Sequence, residues 1–588
     1  MYLNEFALRT LLDRYMAPQD KTVEDIFIRS IRSYGDNEER KQRLEQYVLN
    51  NWYIPSTPVL TNAGTSRGNP IACFLNTVED SRQGILGHYT ETGWLASNGG
   101  GVGAEWSALR TIGSRTSKGS QSNGMLGFQS VVDRLVTAFA QGSTRRASYA
   151  GFLNVQHPEV LEFIDMRKPT GGDINRKNLN LHHGMLITDA FMDAVYEDKP
   201  WDLVDPHSKE VKQTLSARSL WEHILETRSL TGEPYLIFQD TMNNHRPQIL
   251  KDLGVSVTTS NLCTEITVAT TMPDGSAATG VCCLGALNLD KWDEFKGDIQ
   301  QVVEDCLWHL WHVLDSFIHN DMEGADSAKR NAAYYRDVGL GTIGFHSLLQ
   351  QKMIPFDSAL AKSLNQRVYK AIHEAAELAD FSLVSELGEC QASYEAAKRS
   401  QQGYFLTQRA RTFTHKLAIA PNASTSIFAD ASPGCEPWTA NAFIRKTASG
   451  TYVEKNKYLK AQLAKLGMDT EDFWTDCILH KGSIQHREDI HQEIKDVFKG
   501  AYELNQHWLV QHVADRQPYI CQSQSLNLYF LPETPRHVFN SVHIAAHKKG
   551  VKSLYYAKSL TKHKATTGRV VAEIKQDTSD AECLGCAN

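Results

Sequence analysis

An amide, a thiol and a carboxylate stand at alternate positions in Asn261-Leu262-Cys263-Thr264-Glu265, just after Val255-Ser256-Val257-Thr258-Thr259. If this stretch is extended, side chains two apart share a face, and Asn261, Cys263 and Glu265 line up. A thiol can act as a nucleophile or as a one-electron redox group. A carboxylate beside it can take a proton, and an amide can hold a substrate hydroxyl. A cysteine in a β-rich segment is also commonly a small buried hydrophobe, so the triplet alone does not establish chemistry.

Other groups keep it company. Cys583 and Cys586 form a Cys-x-x-Cys near the C-terminus. With no second such pair and no His-x-x-x-His nearby, thiol–disulfide exchange suits it better than zinc, an inert tail being the bland alternative. Cys282 and Cys283 are adjacent, and on a strand only one can face inward. Tyr555 and Tyr556 end an expected short strand, Val551 to Tyr556, which would turn one ring to the interior and one to the outside. The run Leu417-Ala418-Ile419 leads into Ala420-Pro421-Asn422-Ala423-Ser424-Thr425-Ser426. A strand ending in small hydroxyl residues that open a helix can cradle phosphate with backbone N–H groups, or can be a simple N-cap.

Two further patterns read as structure. Gly99-Gly100-Gly101-Val102-Gly103 lacks the spacing of a dinucleotide fingerprint and follows an expected helix, so a Rossmann reading is rejected. His309 and His312, beside Trp308 and Trp311, read as helix packing because no third metal ligand is evident.

The elements that must position these groups alternate. Residues 1 to about 50 read as helical, and Pro55-Ser56-Thr57-Pro58 opens an extended stretch. His88 to Ala96, Met125 to Phe139, Val302 to Phe317 and Pro535 to Lys549 read as helices, with short extended runs between them. That alternation indicates an α/β architecture. From about Thr561 the chain is polar and aperiodic, as expected of a flexible tail.

The 588 residues are 41% hydrophobic and 22% charged, a globular composition with room for several domains or one large barrel. The net charge of −7 argues against a nucleic-acid binder, so any phosphate belongs to a small molecule. No apolar run is long enough for a bilayer, and the N-terminus lacks a signal peptide's pattern. Eleven scattered cysteines favour a reducing, cytoplasmic setting over a disulfide framework.

Taken in order, the motifs resemble the large catalytic subunit of class I ribonucleotide reductases. Pro55-Ser56-Thr57-Pro58-Val59-Leu60 is similar to the family's substrate segment, and Ala72-Cys73-Phe74-Leu75 to that of its first active-site cysteine. Asn261 to Ile266 resembles the radical-cysteine finger loop, and Val281 to Leu289 the segment of the partner cysteine. Pro421 to Ser426 resembles the phosphate loop, Leu554-Tyr555-Tyr556 the tyrosine dyad, and Cys583/Cys586 the tail dithiol.

The resemblance implies an α/β fold: a ten-stranded barrel of two five-stranded halves around a central finger loop, over residues 55–560. A helical region (1–54) would precede it and a redox tail (561–588) follow. It implies that Cys263 forms a thiyl radical and takes the 3′ hydrogen of a ribonucleoside diphosphate, that Glu265 accepts the 3′-hydroxyl proton, and that Asn261 bonds a ribose hydroxyl or Glu265. Cys73 would protonate the departing 2′-hydroxyl, then join Cys282 in a disulfide that Cys583 and Cys586 reduce. Alignment favours Cys282 over Cys283. Thioredoxin or glutaredoxin would reduce the tail. Tyr555 and Tyr556 would relay the radical from a small, metal-containing β subunit, leaving no metal or cofactor bound in this chain.

Thr57, Asn422, Ala423, Ser424, Thr425 and Ser426 would contact substrate. Asp80, Ser81, Arg110, Lys118 and Arg145 would hold a nucleoside triphosphate effector (dATP or ATP, dTTP, dGTP) at a homodimer interface built from the specificity-site helices. With the substrate segment near residue 55, no N-terminal ATP cone is expected, and hence no dATP shut-off through one. The cobalamin-dependent (class II) reductases are the rival, disfavoured by the paired tyrosines. A non-catalytic scaffold is disfavoured by cysteine at 73, 263 and 282 together.

Overall fold

The computed structural model describes residues 4–139, 147–400, 410–447 and 450–560. Five strands run parallel and adjacent: Cys73–Thr77, Gly101–Glu105, Ser148–Asn154, His182–Ile187 and Tyr235–Phe238. Gly280–Val281 closes one edge and Ser553–Leu554 the other, both antiparallel, making a seven-stranded sheet. A second sheet orders Tyr53–Pro55, Cys283–Asn288 and Val338–Ile343. It extends by single parallel bridges, Leu340 to Leu417 and Ile419 to Gln524.

The two sheets meet at two seams. Only Cys282 separates Gly280–Val281 from Cys283–Asn288, and the Ser523 and Ser553 hydroxyls touch at 2.7 Å on the far side. The sheets thus curl around residues 255–270. Among the described residues these two ladders number seven and three strands, and 417–419 and the segment at Gln524 join the smaller one through isolated bridges. Gly101–Glu105, Cys283–Asn288 and Val338–Ile343 are buried along their whole length, as strands covered on both faces must be.

Helices cover the outside, Ile299–His319 and Ala359–Ser382 among them. The N-terminal segment forms Glu5–Arg14, Val23–Arg32 and Glu38–Leu49. Buried Arg29 pairs with Asp20 and donates to the carbonyls of Leu60 and Ala63 (3.1 and 2.6 Å). Those carbonyls end the helix Thr57–Asn62 and have no partner further along it. The expected extended stretch after Pro55 is therefore this helix, since Pro58 sits in its first turn, where no amide hydrogen is needed. No helix among the described residues is long and apolar enough to cross a membrane.

Candidate active site

Residues 255–270 belong to no ladder yet are buried through Leu262, Cys263, Ile266 and Val268. A buried loop must pair its backbone by other means. Val257 exchanges two hydrogen bonds with the Asn243 side chain (2.9 and 2.7 Å). Thr267 N–H donates to Gln522 Oε1 (3.2 Å), Ser523 N–H to the Glu265 carbonyl (2.9 Å), and Ser553 Oγ to the Thr264 carbonyl (2.9 Å). At the base, the hydroxyls of Thr77, Thr258 and Thr270 lie 3.0–3.2 Å apart. Gly103 lies under the loop: a Cβ there would meet the Ser260 carbonyl at 2.1 Å. A glycine inside a strand signals such close approach, a signal that the glycine run carried and the sequence reading did not use.

The alternating-face reading of Asn261, Cys263 and Glu265 is overturned. Residues 261–264 form a turn, with Thr264 N–H donating to the Asn261 carbonyl (3.2 Å) and Thr264 at φ +68°. A finger that enters and leaves the barrel by one end must reverse at its tip. Asn261 Oδ1 accepts from Ile266 N–H (3.0 Å) and Ser260 Oγ donates to the Ile266 carbonyl (2.7 Å), which locks the reversal. Cys263 and Glu265 are then 2% and 0% exposed, and Cys263 shares a buried cluster with Leu262, Tyr235 and Tyr555.

Cys73 and Cys282 share a second cluster, with Ile266 and Val268 of the finger. The antiparallel ladder pairs Leu75 with Gly280 and Phe74 with Val281, so its next step sets Cys73 against Cys282, and Cys282 N–H meets the Cys73 carbonyl at 3.4 Å. Cys283 faces the other way, into the main core. Burial pushes the Cys282 thiol well above its usual range, against the pull of Gln522 Nε2 at 3.6 Å. It is a proton-bearing thiol at neutral pH, and no disulfide links the described cysteines. Gln522 contacts both Cys282 and Thr267, a positioning role with no sequence signal beyond its polarity in an apolar setting.

Tyr555 and Tyr556 do not take opposite faces. The ladder stops at Leu554, and the two rings pack at 4.3 Å with Tyr235 at 4.7 and 5.0 Å from them. Leaving the strand allows both rings to turn to one side. The Tyr556 hydroxyl lies 3.3 Å from His182 Nδ1, which lies 2.6 Å from Glu233 Oε1. That short contact with a carboxylate assigns the proton to Nδ1. Glu233 also pairs with Arg167 and His183. Burial would raise the Glu233 carboxyl, but Arg167 and the two imidazoles outweigh it and hold it well below the usual range. Tyr235, His182, Glu233 and Arg167 were all missed by sequence reasoning, because strand order alone makes them neighbours of residue 556.

A cleft of about 2010 Å³ is lined by Ala423, Ser426, Glu436, Asn527, Tyr555 and Tyr556, among others. Asn422, at φ +52°, donates to the Thr342 carbonyl (3.3 Å), and Ser426 N–H to the Asn422 carbonyl (3.0 Å), so the 420–426 turn is braced. Only the five-residue helix Thr425–Ala429 follows it, with Ser424 preceding and Thr425 buried. Thr57 is buried, its hydroxyl 3.2 Å from Tyr15 Oη.

Asp80 and Arg110 form an ion pair (2.8 Å), Ser81 caps the helix Arg82–Ser97, and Lys118 is exposed in the turn between bridged Arg115 and Gln121. Arg145, the 141–146 loop, Cys583, Cys586 and the rest of the 561–588 tail lie outside the described residues. His309 is a packing residue as expected: Tyr53 Oη and the Ser30 carbonyl take its two nitrogens (3.0 Å each), and burial lowers it to about 4.

Residues 71–557 match the family "Ribonucleotide reductase, barrel domain". A Frog virus 3 (isolate Goorha) protein named as a ribonucleoside-diphosphate reductase large subunit is 38% identical over 94% of this chain and 93% of its own. The ribonucleoside-diphosphate reductase large subunit of Invertebrate iridescent virus 3 is 34% identical, over 98% of both chains. Among solved structures, the Actinobacillus ureae class Id ribonucleotide reductase alpha subunit superposes with a TM-score of 0.80 at 29% identity, covering 95% of this chain and 97% of that one. With two seams closing a barrel around a buried cysteine finger, and with that match over most of its length, this chain belongs to the ribonucleotide reductase family.

Proposed function

We propose that this chain is the catalytic subunit of a class I ribonucleoside-diphosphate reductase, making 2′-deoxyribonucleoside diphosphates for DNA synthesis. One observation carries the reading: the Thr264 carbonyl is held by Ser553, two residues before Tyr555. That bond ties the cysteine finger to the tyrosine pair, as a radical relay requires and as a cobalamin enzyme, which makes its radical in place, does not.

A metal cofactor in a small β subunit supplies the one-electron oxidation. Within this chain, Tyr556 and then Tyr555 pass the hole inward to Cys263. The Cys263 sulfur takes the 3′ hydrogen of the ribose while Glu265 takes the 3′-hydroxyl proton, and Asn261 holds a ribose hydroxyl. The 2′ C–O bond breaks and Cys73 protonates the departing group as water. Cys73 and Cys282 together supply two electrons and two protons, one proton leaving in that water and the other ending on C2′ as the new C–H bond forms and the disulfide closes. Glu265 returns the 3′-hydroxyl proton, and Cys263 returns its hydrogen atom to C3′. Cys583 and Cys586 then reduce that disulfide by exchange, and are reduced by thioredoxin or glutaredoxin. Burial of the finger supports this chemistry because a sulfur radical must be kept from water and stray hydrogen donors.

The turn from Asn422 to Ser426, with Ala423, Ser424 and Thr425, and Thr57 would hold the diphosphate. Asp80, Ser81, Arg110, Lys118 and Arg145 would hold a deoxynucleoside triphosphate or ATP where two chains pair. Leu86, Val131 and Phe139 on the helices Arg82–Ser97 and Gly124–Phe139 are exposed and support that pairing. Effector and substrate affinities must then be coupled reciprocally.

The test mixes the chain with a small subunit, a ribonucleoside diphosphate, an effector and a reductant. Deoxynucleotide is expected from the parent and none from Cys263→Ser. A Cys583→Ser/Cys586→Ser double variant should turn over with dithiothreitol and fail with thioredoxin. Product from Cys263→Ser would end the proposal.

A further inference from the structure

The hairpin of Ala442–Thr447 and Gly450–Lys455 and the helices Lys457–Lys465 and Glu471–Leu479 form a lobe with its own core, including Leu459, Phe473, Trp474 and Ile484. Asp476 and His480 lie four apart at the end of the second helix, so they share one face. His486 returns to that face from the following loop. His480 Nδ1 is 3.2 Å from Asp476 Oδ1, and His486 Nε2 is 2.9 Å from Asp476 Oδ2. The two rings stack at 3.6 Å with 20° between their planes. One donor atom from each residue falls within 4.8 Å of the others. Both edge nitrogens and the carboxylate can act together on one cation.

We propose that Asp476, His480 and His486 bind a divalent transition ion of the zinc type. Two nitrogens and one carboxylate oxygen suit such an ion, while calcium and magnesium take oxygen ligands. Bonds of about 2.0–2.2 Å set neighbouring donors roughly 3–3.5 Å apart. The 3.2 and 2.9 Å contacts run to different Asp476 oxygens and one donor from each residue lies within 4.8 Å of the others, so small side-chain turns close the set on one ion. Each imidazole binds through the nitrogen facing Asp476. His480 Nδ1, which also lies 2.9 Å from the Asp476 backbone carbonyl, exchanges that contact for the ion, and the proton on each binding nitrogen passes by way of solvent to the far ring nitrogen. Water completes the shell, since all three side chains are 31–48% exposed.

The carriers are already held in place. Phe473, Trp474 and Cys477 bury the flank of the helix beside that face, and buried Ile484 and Ile490 lie either side of His486 in sequence. The Gly482 carbonyl accepts from both Asn441 N–H and Asn441 Nδ2 (2.9 and 3.2 Å). Arg487 Nη1 lies 3.1 Å from Asp476 Oδ2 and competes for it, but its Nε and Nη2 grip Asp489 (2.8 and 2.5 Å). Arg487 therefore keeps a counter-charge when Asp476 turns to the ion. The ion would staple the helix to its loop, independently of the reductive chemistry.

The experiment titrates cobalt(II) into the full chain carrying Cys583→Ser/Cys586→Ser, which removes the tail thiols as rival ligands, and follows visible absorption; zinc is then added in competition. One cobalt per chain is expected, displaced by zinc. His480→Ala or His486→Ala should weaken binding at least about ten-fold, and zinc should raise the melting temperature of the Cys583→Ser/Cys586→Ser chain but not of the same chain carrying His480→Ala/His486→Ala. Circular dichroism checks that the variants remain folded, which exposed histidines permit. Uptake below half an ion per chain, or uptake that His480→Ala/His486→Ala retains, overturns the proposal.

Discussion

Cys282 N–H donates toward the Cys73 carbonyl at 3.4 Å, one step beyond the last ladder pair of two antiparallel strands. Directly opposed residues bring their Cβ atoms to about 4.5–5.5 Å, and a disulfide needs about 3.5–4.5 Å. Bridging the pair therefore needs only a small local shift. Cys283 cannot reach, because its side chain enters the opposite core.

This gives the first prediction. Cys282→Ser should abolish multiple turnover with either reductant. Cys283→Ala should keep most of it and show instead a modest loss of stability, about 1 kcal/mol for trimming a buried sulfur. Deoxynucleotide assays on both variants, with urea unfolding of the second, decide it. Equal loss of turnover in both would reassign the pair.

The second concerns the seat of the finger. Gly103→Ala places a carbon where the Ser260 carbonyl and Asn261 Cα stand, at 2.1 and 2.8 Å. Backbone cannot yield as a side-chain tip can, so the finger must move. A stability loss of about 1–3 kcal/mol and a fall in turnover beyond ten-fold are expected. Gly297→Ala, with nothing within 4 Å of its added carbon, is the control. Matching kinetics in the two variants would show that the finger tolerates displacement.

A third concerns Tyr556. Its hydroxyl and the Glu233 carboxylate both lie on the His182 Nδ1–H. Tyr556→Phe should stop turnover while leaving nucleotide binding intact. His182→Phe should slow turnover about ten-fold, the loss of one hydrogen bond of roughly 1.4 kcal/mol, without altering substrate KM. A changed KM with unchanged kcat would place His182 outside the relay.

The fourth is a pH effect. Lys552 sits wholly buried next to Ser553, its Nζ donating to the carbonyls of Cys521 and Gln522 (2.8 Å each), and burial pulls it down to about 8. Unfolded, it titrates near 10.4. Between those values the unfolded chain holds the extra proton, so stability rises with pH from about 8 to about 10.4 and is lowest, on this account, below 8. The full effect is about 3 kcal/mol. The unfolding free energy of the parent minus that of Lys552→Met should climb across this window. A flat difference would mean the ammonium is solvated in the native chain.

Chemistry-bearing residue types and much of the secondary structure were legible from the chain alone. The helices near His88, Met125, Val302 and Pro535 appear close to where apolar spacing put them. Strand alternation also stated that Cys282 and Cys283 must face opposite ways. Which of them meets Cys73 depends on register with a strand some 200 residues earlier, and periodicity carries no register.

The same limit explains the failures. Alternation put Asn261, Cys263 and Glu265 on one face, but the turn at 261–264, which comes from threading the finger through a closed barrel, removes that alternation. Tyr556 turned to Tyr235 and His182 rather than outward because its strand ends early. Local sequence determines what a segment prefers within a few residues. The order of strands around the barrel decides which distant side chains share a buried space, and in that space hydrogen-bond and packing demands override the local preference.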